Sequence, residues 1–241
     1  MRVAAYQSSI THGDIPDVLS DLRAQVDHCE ASGVEVLCCA EGVLGGLADY
    51  VEEPARIAVR VDNGELARLL APLASDTVTT IVGFTELGND GRLYNSAAVW
   101  SRGEVVGVYR KRNPAIRRSV YHAGNEYPVF SIESFTFGIL ICRDSVFPEV
   151  ARELVSRGAQ ALFVPANTGM PESRGGAALV GEARSIDCVC AAANGVPVIR
   201  ADVVGELGSL ISYGATGIVD RDGRVVSELP VMTEGLVVAE L

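Results

Sequence analysis

The chain has 241 residues, 48% of them hydrophobic, and a formal net charge of −11; this length suits one substantial core, so a single domain over residues 1–241 is expected. The acidity, with no run of Lys/Arg and no basic stretch interleaved with aromatics, excludes nucleic acid and anionic membranes as expected partners. No segment approaches the roughly 18 uninterrupted apolar residues of a membrane-spanning helix, and residues 1–7 read as a strand rather than a signal sequence, so a cytoplasmic protein is expected.

In chain order, residues 2–7 form a first strand. The Asp14-Ile15-Pro16-Asp17 stretch opens a helix, in which Val18, Leu19, Leu22, Val26 and Cys29 recur at helical spacing until Gly33. Residues 34–39 are apolar except for Glu35 and read as a buried strand that delivers Glu41 to its end, just before Gly42, Gly45 and Gly46 break the pattern. Leu66, Leu69, Leu70 and Leu73 mark a helix over residues 65–74. A meander follows: strand 78–86, a turn at Asn89-Asp90-Gly91, strand 93–100, a turn at Ser101-Arg102-Gly103 and strand 104–109. It ends at Lys111. The next segment, residues 112–127, has no period and is long enough to be functional.

Residues 136–141 are a short β-branched run that stops at Cys142, with a helix opening at Pro148 and closing at Gly158. Cys142 therefore sits at an elbow between strand and helix, where rigid elements hold a side chain at the rim of the sheet. Residues 161–165 form another buried strand ending near Asn167. Residues 177–194 carry Leu179, Ala183, Ile186 and Cys190 on a helical face, closed by Gly195. Strands at 196–201, 215–219 and 224–229 complete the pattern.

Chemistry-bearing residues are few. The six cysteines have no CxxC pair, which argues against a disulfide framework or a zinc site, and none of the three histidines has a metal-ligand spacing to another. No phosphate-cradling glycine motif is present, so neither a metal nor a cofactor is expected. Of the 20 basic residues, 19 are arginine and one, Lys111, is lysine. A bias toward arginine sweeps exchangeable surface lysines away and spares a site that needs a compact ammonium. Glu41, Lys111 and Cys142 each fall at or just past a strand end, and strand ends share one side of an α/β sheet.

With Ala40-Glu41-Gly42, Tyr109-Arg110-Lys111 and Ile141-Cys142-Arg143-Asp144 followed by Phe147-Pro148-Glu149, the sequence resembles the nitrilase superfamily of carbon-nitrogen hydrolases. Val3-Ala4-Ala5-Tyr6-Gln7, Ala123-Gly124-Asn125-Glu126, Pro165-Ala166-Asn167 and Ala183-Arg184 extend the likeness over nearly the whole chain. The resemblance implies an α/β fold of the four-layer α-β-β-α sandwich type and assembly as a homodimer or larger homo-oligomer. It also implies roles: Cys142 as nucleophile, Glu41 as proton relay, and Lys111 with the backbone N–H of Arg143 as oxyanion donors. A small amide or carbamoyl substrate would pass through a thioester to acid and amine or ammonia.

Cys142-Arg143-Asp144 looks more like the amide-hydrolysing members, which have a polar or tyrosine residue and then Asp, than the nitrile-hydrolysing ones with Trp-Glu. Asn167 corresponds to a position that often lines the pocket in related amidases. The sequence departs from the family after the lysine. Many members carry a further glutamate there, whereas residues 115–121 contain no carboxylate; Arg117 is a candidate for meeting an anionic group of the substrate. Ala40 stands where proline is frequent and Asp202 where asparagine is. Two alternatives share the same sequence: an acyltransferase using the same acyl-enzyme, and a catalytically silent binding or assembly member.

Overall fold

A computed structural model describes residues 1–10, 14–115 and 119–241. Two sheets lie face to face, with helices covering both outer surfaces, giving the four-layer α-β-β-α sandwich. The first sheet runs in the order Met170–Pro171, Leu210–Tyr213, Val203–Leu207, Arg2–Ser9, Val36–Cys38, Thr79–Leu87, Leu93–Ser101, Glu104–Arg110. Gly235–Glu240 also pairs with Arg2–Ser9, antiparallel. The second runs Val225–Glu228, Gly217–Val219, Val198–Ala201, Ala161–Pro165, Phe135–Ile139, Val129–Ile132.

Strand alternation builds the layers. In the first strand Val3 and Ala5 enter the core between the sheets, while Ala4 and Tyr6 face the helices. Ala161 and Phe163 face inward in the second sheet, and Leu162 and Val164 face its own helices. This period of two is what strands buried on both faces require. Helices α1 (Ile15–Ser32) and α2 (Glu65–Leu70) seal the first sheet through Leu19, Leu22, Val26, Leu66 and Leu70. Helices α3 (Pro148–Ser156) and α4 (Ala178–Asn194) seal the second through Val150, Leu154, Cys190 and Ala191.

The helices match their apolar periodicity, with one difference. The helix expected over residues 65–74 is α-helical only to Leu70 and then tightens into a 3₁₀ turn, Ala71–Leu73, because Pro72 has no N–H to continue the ladder. The sequence reading did not assign the strands Val129–Ile132, Val203–Leu207, Leu210–Tyr213 and Gly235–Glu240. Among the described residues no helix is long and apolar enough to cross a membrane.

Candidate active site

Glu41 follows the strand Val36–Cys38 and is only 2% exposed. The tight passage of its loop is set by Gly83 on the neighbouring strand: a Cβ there would lie 2.4 Å from the Ala40 carbonyl oxygen and 2.6 Å from the Gly42 nitrogen. Lys111 follows the strand Glu104–Arg110 and is also buried. Its ammonium donates to Glu41 Oε1 at 2.5 Å. Asn95 Nδ2 donates to the same oxygen at 2.7 Å. Sheet register places Asn95 there, because Ser96 pairs with Arg110 and the Lys111 N–H then reaches the Asn95 carbonyl, at 2.8 Å. Glu41 Oε2 has no hydrogen-bond partner among the described residues, so one oxygen is held and the other is left to accept a proton.

Cys142 opens a 3₁₀ turn, Cys142–Val146, with φ at +46°, a left-handed conformation that costs a side-chain-bearing residue energy and needs support from its surroundings. Two groups supply it. The Ser145 hydroxyl donates to the Cys142 carbonyl at 2.8 Å. The fully buried Asp144 carboxylate accepts from the Ile141 N–H at 3.2 Å on one side of the elbow. It also accepts from the Tyr109 hydroxyl at 2.7 Å, the Asn113 N–H at 2.8 Å and Asn113 Nδ2 at 3.0 Å. Asp144 therefore ties the cysteine turn to the segment carrying Lys111. Among the described residues nothing accepts a hydrogen bond from the Arg143 N–H, which remains an open donor beside the sulfur.

Burial, and then the charge of Glu41, push the Cys142 thiol up to about 12, while Lys111 and Arg200 pull the other way. The resting group is thus a neutral thiol. The Lys111 ammonium favours the thiolate, but burial and the charge of Glu41 outweigh it. Burial works against the Lys111 charge, yet Glu41 beside it holds the amine above its usual range.

A cavity of about 230 Å³ is lined by Cys142, Arg143, Asn167, Thr168, Met170, Arg200 and neighbours. A larger one, about 530 Å³, lies beside Glu86 and Arg110 and includes none of Glu41, Lys111 and Cys142; of these three, Cys142 alone lines the smaller. Asn167 presents its carbonyl oxygen 4.0 Å from the Cys142 sulfur, while its Oδ1 accepts from the Gly169 N–H at 3.1 Å in a local turn. Arg117 lies outside the described residues. Asp202 accepts from Thr168 Oγ1 at 2.8 Å and the Thr168 N–H at 3.0 Å, holding the cavity wall that follows Asn167. Among the described residues no group of three His, Cys, Asp or Glu side chains is placed to hold a metal ion.

The carbon-nitrogen hydrolase family profile matches residues 2–241. The chain belongs to this family. It is 32% identical over 192 residues to a nitrilase of Pyrococcus abyssi, covering 79% of this chain and 70% of that protein. It is 27% identical over 173 residues to an N-carbamoylputrescine amidase of Arabidopsis thaliana, covering 66% of this chain and 58% of that protein. The chain thus spans less than two thirds of some of the carbon-nitrogen hydrolases it matches. Its fold superposes on the Nesterenkonia amidase of the nitrilase superfamily with a TM-score of 0.83 at 22% identity, covering 100% of this chain and 90% of that one.

Asn95, Ser145 and Arg200 were not singled out from the sequence, and Asp144 was read only as part of the Cys142-Arg143-Asp144 motif, without its role in bracing the turn. A hairpin register counted from the Ser101-Arg102-Gly103 turn puts Tyr94 opposite Lys111, and the register shift between Val99 and Trp100 moves Asn95 into that place, so counting along the sequence does not find it.

Proposed function

We propose that this carbon-nitrogen hydrolase is an amidase, cleaving a small amide or carbamoyl substrate through a thioester on Cys142, within one catalytic domain spanning residues 1–241. The observation that carries the reading is the half-occupied carboxylate of Glu41, clamped on one oxygen by Lys111 and Asn95 and open on the other.

In this mechanism Glu41 Oε2 takes the thiol proton as the sulfur attacks the amide carbonyl, so the nucleophile forms only when substrate is present. Negative charge then develops on the carbonyl oxygen. The Lys111 ammonium and the Arg143 N–H are the donors for it, fixed in place before the reaction begins. Glu41 returns its proton to the departing nitrogen, which leaves as amine or ammonia. Water, deprotonated by the same carboxylate, attacks the thioester; the acid departs and the thiol is restored. The cavity lining of Met170, Leu179, Ala183 and Ile186 suits a small, largely apolar acyl group. The Cys142-Arg143-Asp144 sequence favours amides over nitriles.

The test is intact-mass spectrometry with a panel of small amides and carbamoyl compounds. Wild type is expected to accumulate an acyl adduct and release ammonia or amine, and Cys142→Ala to do neither. An adduct that persists in the variant removes Cys142 from the role. Product analysis with added amines separates hydrolysis from acyl transfer.

We also infer that the protein works as a homodimer or larger homo-oligomer. Val146 and Val189, 52% and 69% exposed, flank an apolar groove of about 320 Å³ between the start of α3 and α4. Light scattering after size exclusion reads the assembly state, and Val189→Glu is expected to lower it.

A further inference from the structure

Cys142 faces two cations, and the mechanism above employs one. The second, Arg200, sits on the strand Val198–Ala201, is 2% exposed and lines the same cavity as Cys142. Its guanidinium forks onto Asp187 of α4, with Nε 2.7 Å from Oδ2 and Nη2 2.6 Å from Oδ1. Nη2 donates again, to Ser145 Oγ at 3.2 Å, and that hydroxyl is the one bonded to the Cys142 carbonyl. A continuous chain of hydrogen bonds thus runs from α4 through the second sheet to the backbone of the left-handed cysteine. A planar fork is needed to bond Asp187 twice while reaching Ser145.

We propose that Arg200 is a positioning residue for the nucleophile: through Ser145 it holds the Cys142 elbow, and its charge, tempered by Asp187, sets how readily the thiol gives up its proton. The proposal rests on Cys142 being the nucleophile. Other charged groups bear on this arrangement. Glu41 opposes thiol ionisation and Lys111 assists it. Asp187 and Asp202 both act on Arg200. Arg184 Nη1 lies 3.8 Å from Asp187 Oδ2. Asp144 acts on Lys111, and Glu182 and Arg143 line the cavity. Among them Asp187 is the group bonded directly to Arg200, so changing it alters the cation without touching the Glu41–Lys111 pair.

The experiment follows alkylation of Cys142 by iodoacetamide from about pH 7 to about pH 10, read by mass on the peptide containing it. Arg200→Met is expected to slow alkylation at a given pH roughly three- to tenfold and to move the profile to higher pH. Asp187→Asn leaves the cation less compensated and is expected to move the profile the other way. Arg200→Lys, which keeps the charge but not the fork, is expected to hold the profile near wild type. Ser145→Ala keeps the charge and loosens the elbow; its profile stays put while kcat on an amide substrate falls several-fold at unchanged KM.

Shifts of Arg200→Met and Asp187→Asn in the same direction, or no shift in either, overturn the proposal. So does a rise in KM for Arg200→Met with an unmoved profile, which makes Arg200 a substrate contact instead. Should Arg200→Met not fold, Asp187→Asn against Arg200→Lys carries the same sign test. Alkylation needs no substrate: absence of amide cleavage by wild type counts against the amidase reading alone, whereas an acyl adduct that persists in Cys142→Ala counts against the role of Cys142 as nucleophile.

Discussion

Two buried ion pairs flank the cysteine, and they are built to opposite specifications. Asp187 spends both carboxylate oxygens on Arg200. Glu41 receives Lys111 and Asn95 on a single oxygen and, among the described residues, keeps the other free. A saturated carboxylate has nothing left to do with a proton; a half-saturated one, locked in orientation, is a base waiting for a donor. Both pairs bear the cost of taking charge out of water, which excellent geometry and extra hydrogen bonds must offset. Under the proposed mechanism, what separates a structural pair from a reactive one here is the unused lone pair, since burial is nearly the same in both.

This contrast can be broken most directly at Glu41. Glu41→Gln keeps the shape and removes the base, and kcat for amide hydrolysis is expected to fall about 1000-fold in steady-state assays. Retention of more than a tenth of the activity would place the base elsewhere. At the other pair the expected loss is in stability: Asp187→Ala leaves a guanidinium buried without its partner and should lower unfolding free energy by about 3–5 kcal/mol in urea titrations.

A finer cut is Asn95→Ala, which removes one of the two donors orienting Glu41. A drop of about tenfold in kcat with little change in KM is expected, the scale of one hydrogen bond to a charged group. An equal rise in KM would show Asn95 acting on substrate binding instead.

The smallest effect is one of pH. The Cys142 thiol ordinarily ionises near 9 and is held up to about 12 in the folded protein. Above pH 9 the unfolded chain releases this proton while the folded chain keeps it. The folded state then binds more protons, and stability contributed by the group is lost as pH rises. Wild type should therefore lose up to about 1 kcal/mol relative to Cys142→Ala between about pH 9 and about pH 10, measured by chemical denaturation under reducing conditions.

The sequence exposed those parts of the candidate site whose determinants are local. Glu41, Lys111 and Cys142 each end a short apolar run, and a strand that stops at a polar residue shows in a few letters. Helices α1 and α4 were equally plain, because their apolar residues recur with the helical period. The supporting residues were hidden by distance along the chain. Asn95 meets Glu41 across 54 positions, Tyr109 meets Asp144 across 35 and Arg200 meets Ser145 across 55. No window read along the sequence contains such pairs. The overlooked strands have the same explanation. Gly235–Glu240 is a strand because Arg2–Ser9 offers it an edge, and Val203–Leu207 with Leu210–Tyr213 is a hairpin turned at Gly208, whose φ is +60°.

The pairing of Gly235–Glu240 with Arg2–Ser9 also bears on how the protein comes to be made. The two strands run in full register, from Arg2 against Glu240 to Gln7 against Gly235, and the Gln7 amide Nε2 donates to the Thr233 carbonyl at 2.7 Å. One flank of this strand therefore stays unpaired until a segment far along the chain has been translated and folds back onto it. During that interval an apolar strand with unpaired N–H and C=O groups stands open to any neighbouring chain. Folding intermediates are consequently at risk of mispairing along this edge.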